Sequence, residues 1–199
     1  MAVHNHLVIF VKEPKLGQVK TRLARDIGAV AAVHFYRCTM ERVVRRLARD
    51  PRWRTWLAIM PDKAVFARRR WPAGPGRLKQ GPGDLGARMD RAFRALPPGP
   101  AVIVGSDIPD LQPRHIARAF RALGAADAVF GPAEDGGYWL VGSRRRPRVP
   151  DLFADVRWSS AHALADTLRN LAGASVAFLD TLDDVDDGAA FSRAARSGR

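Results

Sequence analysis

Ala101-Val-Ile-Val-Gly105-Ser106-Asp107-Ile-Pro109-Asp110 is the stretch that decides the fold. An unbroken run of apolar and small residues has the pattern of a buried strand, and an acidic turn follows at once. Pro109 and Pro113 stop the strand and hand over to a helix beginning near Arg114. Asp107 is thereby expected at the C-terminal end of a parallel strand, where open α/β sheets bind their ligands.

The same grammar extends in both directions. Leu7–Val11 and Thr55–Met60 are further strand candidates. A helix is expected from Lys20 to Ala48, with a break near Gly28. Its apolar face carries Tyr36, Met40, Val43, Val44 and Leu47 at spacings of three and four. Pro61 and Asp62 start a short helix to about Arg70, and Arg77–Gln80 is a short strand. Asp84 caps a helix to Leu96. Beyond the acidic turn come a helix from Pro113 to Leu123, strands at Ala128–Phe130 and Tyr138–Val141, and a helix capped by Ser159 or Ser160. A strand at Ser175–Leu179 and a short C-terminal helix close the chain. This alternation predicts a three-layer α/β/α sandwich around a Rossmann-like, mostly parallel mixed sheet, with residues 1–199 forming one domain.

Composition excludes several classes. No apolar run reaches the roughly 18 residues of a membrane span, and no secretory signal is visible, so a cytoplasmic protein is expected. Cys38 is the only cysteine. It cannot close an internal disulfide and is expected to be a small core residue. The net charge of +13 raises the possibility of nucleic acid, but the chain has 28 Arg against 5 Lys. That skew accompanies abundant Ala, Gly and Pro and has the look of GC-rich coding. Arg68–Arg70 and Arg144–Arg146 are expected to be solvated surface, and no nucleic-acid partner is expected. His34, His115 and His162 lack ligand spacing.

Against this basic background the acids stand out. Asp107 and Asp110 lie after one strand. Asp180, Asp183, Asp184, Asp186 and Asp187 lie after another. Separated carboxylates of this kind suit a divalent cation whose remaining ligands are phosphates. The loop Lys12-Glu-Pro14-Lys15-Leu-Gly17-Gln-Val-Lys20-Thr21-Arg22 joins the first strand to the first helix. It holds three of the five lysines and lacks the Walker A spacing. Near a helix start it would favour phosphate. Gly83-Asp84-Leu85-Gly86 allows close backbone approach to a nucleoside. Glu134 and Asp135 sit beside paired glycines in Gly131–Tyr138, and a tight turn explains the glycines but not the two acids. Each of these features also has a plain structural explanation, as turn, cap or solvated loop.

Five strings occur in one order: Lys12-x-Pro14-x-x-Gly17-x-x-Lys20-Thr21-Arg22-Leu23, Gly83-Asp84-Leu85-Gly86-x-Arg88-Met89, Gly105-Ser106-Asp107-x-Pro109-Asp110-Leu111, Gly131-Pro-Ala-Glu134-Asp135-Gly136-Gly137-Tyr138 and Asp184-Val-Asp186. Together they resemble a bacterial family of small GT-A-fold, glycosyltransferase-like proteins, some of them associated with radical-SAM gene neighbourhoods or arsenosugar biosynthesis, and similar to phospholactate guanylyltransferase. The resemblance implies a nucleotide bound at the strand ends with Mg²⁺ or Mn²⁺. Asp107 would be one metal ligand and Asp186 the other, with Asp184 the nearest rival. Lys12, Gly17, Lys20, Arg22, Gly83, Asp84, Leu85, Gly86 and Ser106 would serve the nucleotide. Lys20 and Arg22 would stabilise the phosphates. Glu134, Asp135, Gly136, Gly137 and Tyr138 would face a small-molecule acceptor, with Asp135 as the base for a hydroxyl. The expected donor is a nucleotide-sugar or an NTP. The alternatives are nucleotidyl transfer to a phosphorylated acceptor and a non-catalytic nucleotide-binding protein.

Overall fold

The computed structural model describes residues 3–67, 70–145, 150–182 and 185–197. Seven strands form one sheet in the order β3-β2-β1-β4-β6-β5-β7. They are β1 (His6–Lys12), β2 (Arg54–Met60), β3 (Gly76–Lys79), β4 (Ala101–Gly105), β5 (Ala128–Pro132), β6 (Tyr138–Ser143) and β7 (Val176–Phe178). β6 runs antiparallel to both β4 and β5, and the other pairings are parallel.

Strand alternation sends Leu7, Ile9 and Val11 to one face and Val8 to the other, and all four are buried. The first face is covered by α2 (Ala29–Ala48) and α4 (Pro113–Ala122), the second by α3 (Leu85–Ala95) and α5 (Ala163–Arg169). The expected three-layer mixed sheet is therefore the architecture found. The break at Gly28 separates α1 (Thr21–Ile27) from α2, and Asp84 caps α3 by accepting the Ala87 N–H at 2.8 Å. The last helix, α6, spans Gly188–Ser197.

Three local expectations are corrected. The segment after β2 is a 3-10 helix of only Asp62–Phe66. Neither Ser159 nor Ser160 is the N-cap of α5. The helix starts later, after His162, and Ser160 instead accepts the His162 N–H in the preceding turn. Cys38 is exposed, not core. The buried stripe of α2 runs through Ala32, Tyr36, Thr39, Met40, Val43, Val44 and Leu47, and Cys38 falls off it. Among the described residues no helix is long and apolar enough to cross a membrane.

The topology fixes where function can lie. β1 and β4 are neighbours, but their crossovers leave in opposite directions along the sheet, and such a switch point opens a crevice at the C-terminal strand ends. The loops after β1, β2, β4, β5 and β7 leave from that edge. The antiparallel β6 enters there.

Candidate active site

A cleft of about 560 Å³ opens at this edge. The loop after β1 and the start of α1 supply Lys12, Lys20, Thr21 and Arg22. The loop after β4 supplies Ser106 and Asp107, α3 supplies Leu85 and Arg88, and the C-terminal segment supplies Asp186. Four segments that are remote in sequence thus meet at one place.

Its centre is a charged junction. The Lys20 Nζ lies 2.7 Å from Asp107 Oδ2 and 2.5 Å from Asp186 Oδ1. The lysine side chain is almost wholly buried between the two acids. Its backbone is left-handed, with φ 46° and ψ 48°, at the residue that precedes α1. A non-glycine residue held in that region is costly, and such strain gathers at functional positions. The two carboxylates expected to share a cation therefore do converge, and the ammonium lies between them. Asp184 lies outside the described residues.

Below this junction a hydroxyl network ties β1 to β4. Tyr36 Oη accepts the Lys12 N–H at 2.8 Å, is 3.2 Å from the Lys12 carbonyl and 3.3 Å from Ser106 Oγ. Burial pushes the phenol up to about 12, so it stays a neutral donor. Gln80 closes the floor, donating to the carbonyls of Ala58 and Val11 at 2.9 and 3.3 Å.

The first-loop lysines divide. Lys12 and Lys20 line the cleft, whereas Lys15 pairs with the buried Glu13 at 2.8 Å, and Arg70 also pairs with Glu13. Gly17, Gly83, Asp84 and Gly86 are not among the cleft's lining residues. The Asp84 carboxylate caps α3. Gly86 packs beneath Trp158, where a Cβ would come within 2.7 Å of the indole.

A second cavity, of about 360 Å³, adjoins the first. The two share Leu85, Gly105, Asp107, Ser159 and Asp186. Asp135, Gly137 and Tyr138 line it, joined by Trp158, Ser160 and Leu182. Asp135 Oδ1 accepts the Gly137 N–H at 2.9 Å, which shapes the turn. Gly136 has φ 82° and presses on the Ala161 backbone, leaving no room for a Cβ. Its carbonyl accepts the Leu164 N–H, docking the loop on α5. Glu134 is exposed and is not among the lining residues. Tyr138 is partly buried, and Trp139, on the opposite face, is buried with its indole N–H on the Asp180 carbonyl at 3.1 Å.

Sequence reasoning missed Tyr36, Gln80 and Trp158. Tyr36 belongs to the apolar stripe of α2, so only its hydroxyl could have marked it. Gln80 gives no periodic signal, and Trp158 stands in a loop with no motif around it.

The family model described as "uncharacterized protein conserved in bacteria (DUF2064)" matches residues 43–160. The chain belongs to this family. The DUF2064 match takes in Arg88, Asp107 and Asp135, while Lys12, Lys20 and Asp186 lie outside it. A crystal structure from Desulfovibrio desulfuricans G20, provisionally described as a nucleotide-diphospho-sugar transferase, is similar with a TM-score of 0.90 at 29% identity, over 100% of this chain and 89% of that one. A nucleotidyl transferase from Methanothermobacter thermautotroptrophicus is similar with a TM-score of 0.66 at 13% identity, over 98% and 97% of the two chains. Glucosyl-3-phosphoglycerate synthase from Mycobacterium tuberculosis, solved with Mn²⁺, UDP and phosphoglyceric acid, gives 0.57 at 11% identity, over 96% of this chain and 74% of that one. The last two likenesses are of fold alone. No curated protein matches the sequence. The DUF2064 chain thus has the GT-A-like fold of the nucleotide-diphospho-sugar transferases. The 29% likeness over its whole length supports an enzymatic, transferase role.

Proposed function

We propose that this protein is a divalent-metal-dependent transferase that binds a nucleotide-sugar donor in the first cleft and passes the glycosyl group to a small-molecule hydroxyl. The observation that carries this reading is the meeting of Lys12, Lys20, Arg22 and Arg88 with Asp107 and Asp186 at the sheet's switch point.

The metal requirement is supported by the donor set. Among the described residues no group of three or more His, Cys, Asp or Glu side chains is gathered for a metal. Mg²⁺ is commonly held by only one or two carboxylates, with substrate phosphates completing the shell. Asp107 and Asp186 offer hard oxygens that face a common point already fit for a cation, since an ammonium lies there. They would hold Mg²⁺ or Mn²⁺, which supplies charge neutralisation on the phosphate oxygens.

The chain's own residues do the rest. Lys12, Arg22 and Arg88 grip the diphosphate, and Lys20 turns from the acids onto a phosphate oxygen. Ser106 and Leu85 bound the nucleoside side. The acceptor oxygen attacks the anomeric carbon, the carbon–oxygen bond to the diphosphate breaks, and its electron pair leaves on the phosphate. Asp135 takes the hydroxyl proton, as a general base worth about 10² to 10⁴ in rate. A phosphate acceptor, ionised at neutral pH, needs no base. In that second reading, implied by the resemblance to phospholactate guanylyltransferase, an acceptor phosphate attacks the α-phosphorus of an NTP and pyrophosphate leaves. Four cationic side chains around one cleft favour it, because they are enough for a triphosphate.

Melting curves with each nucleoside di- and triphosphate, with and without Mn²⁺, test the donor reading. A ligand at 100 times its Kd adds about 2.7 kcal/mol. A Mn²⁺-dependent shift is expected, and its absence for every nucleotide overturns the donor reading. Asp135→Asn is expected to keep that shift and lose most release of nucleoside diphosphate. Pyrophosphate release untouched by Asp135→Asn, with no diphosphate from any sugar donor, would establish nucleotidyl transfer instead.

A further inference from the structure

The two adjoining cavities differ in kind. The first is lined by Lys12, Lys20, Arg22 and Arg88. Among the described residues lining the second there is no Lys or Arg, while Asp107, Asp135 and Asp186 are present. A phosphate ester placed there would meet three carboxylates, with the Lys20 ammonium held behind two of them on the side of the first cleft and nothing to offset Asp135 among the lining residues. A metal on Asp107 and Asp186 would relieve part of that opposition, but Asp135 would still face the anion.

The walls of the second cavity are aromatic and apolar. The Tyr138 and Trp158 rings meet edge to face, with centroids 6.4 Å apart and planes at 76°. Leu182 and Ile108 extend the apolar lining, and Ser159 and Ser160 add hydroxyls. The Trp158 indole N–H is buried and has no acceptor among the described residues. Buried donors are nearly always matched, so an orphan of this kind calls for an explanation. The wall is also firmly held. Trp158 packs on Phe153, and the adjacent Arg157 binds Asp166 of α5 through its backbone N–H and its guanidinium at 2.8–3.1 Å.

We propose that the second cavity is the acceptor subsite and that it selects a hydroxyl compound carrying no phosphate, with an apolar or aromatic face laid against Trp158 and Tyr138. The proposal rests on the transferase reading for what the acceptor receives, but not for what the cavity binds. The volume of about 360 Å³ is at the small end of the range for small-molecule sites, which is about 300–1,000 Å³, and is enough for a sugar-sized ring. The shared rim of Asp107, Ser159 and Asp186 brings such an acceptor to the donor's phosphates.

The test is calorimetry on the full chain without nucleotide, using phenyl β-glucoside and its 6-phosphate ester as matched probes. The neutral glycoside is expected to bind at least ~10-fold more tightly than the ester, about 1.4 kcal/mol. Trp158→Ala should weaken binding of the neutral glycoside by at least ~10-fold, whereas Trp158→Phe, which keeps a ring, should retain binding within about 3-fold. Because Trp158→Ala opens a packed wall, a second variant carries the charge argument. Leu182→Lys adds a cation to the cavity and should swing preference toward the ester by ~10-fold. Equal or tighter binding of the ester by the wild type overturns the proposal. So does failure of the neutral glycoside to bind at millimolar concentration, or indifference to both Trp158→Ala and Leu182→Lys. A nucleotide-induced melting shift, measured separately, reports the donor cleft alone, so the two readings can fail independently.

Discussion

At the scale of single residues, the most consequential contact is Lys20 between Asp107 and Asp186. Two facing carboxylates repel unless a cation lies between them, and the ammonium meets that need within the chain itself. Under the proposed function, a divalent ion arriving with nucleotide would displace Lys20 and free the lysine for a phosphate. Lys20→Met removes the resident charge and leaves two acids turned toward one point. The expected outcome is a rise of about 10-fold or more in Mn²⁺ affinity without nucleotide, about 1.4 kcal/mol, together with weaker binding of the metal–nucleotide complex. Electron paramagnetic resonance of Mn²⁺ titrated into both proteins reads the first quantity directly. Unchanged Mn²⁺ affinity in the variant would show that Lys20 does not stand in the cation's place. The opposite charge change, Asp107→Asn, should lower the metal-dependent nucleotide affinity by at least ~10-fold, about 1.4 kcal/mol.

At the scale of elements, the Trp158 wall is only as fixed as its tie to α5. Asp166 is almost wholly buried and takes hydrogen bonds from Arg157 and from Arg169, the latter at 2.5 Å. The Arg157 guanidinium and backbone N–H hold its carboxyl well below the usual aspartate range. A depressed folded value means stability that is fully present above the unfolded value, near 3.9. It is lost as pH falls through the folded one. Asp166→Asn is thus expected to melt below the wild type at neutral pH, with the gap closing only in strong acid, below pH ~3.9. Melting curves of both proteins from neutral to strongly acidic pH measure this, and a gap independent of pH would deny the ion pair its role. Such pairings explain what was hidden in the sequence. β1, β4 and the break at Gly28 could be read because apolar runs and φ-permissive residues are local signals. The reversal of β6 could not, since a pattern of alternating burial carries no direction. The start of α5 was misplaced because Ser159 and Ser160 look like caps, yet Ser160 is spent on the turn before the helix. Lys20 was legible as a phosphate ligand, but its place between two acids is a contact across more than 160 residues that no motif encodes.

At the scale of the whole molecule, the charge of +13 invites a polyanion, and the placement of the arginines argues against it. Arg46 donates to the Pro109 and Leu111 carbonyls, Arg91 to Gln80, Arg144 to Leu123 and Ala126, and Arg145 to Phe93 and Pro97. These guanidinium groups close loops by donating to backbone carbonyls, most of them on buried residues that would otherwise lack a partner. Arg144 and Arg145 were expected to be solvated and are instead partly buried clamps, while Arg68, Arg69 and Arg146 lie outside the described residues. Arginines fixed in this way do not form a continuous stripe that follows a phosphate backbone. From the other arginines a diffuse attraction is expected, which releases counterions and fades with salt. Random duplex DNA is therefore expected to bind in the non-specific range of about 10⁻⁴ to 10⁻⁶ M at physiological salt, with log affinity falling steeply and linearly with log salt. Fluorescence anisotropy across a salt series, with labelled duplexes of unrelated sequence, measures both affinity and slope. Sequence-selective binding at nanomolar concentration under those conditions would require a built groove-reading surface, and the transferase reading would then have to give way.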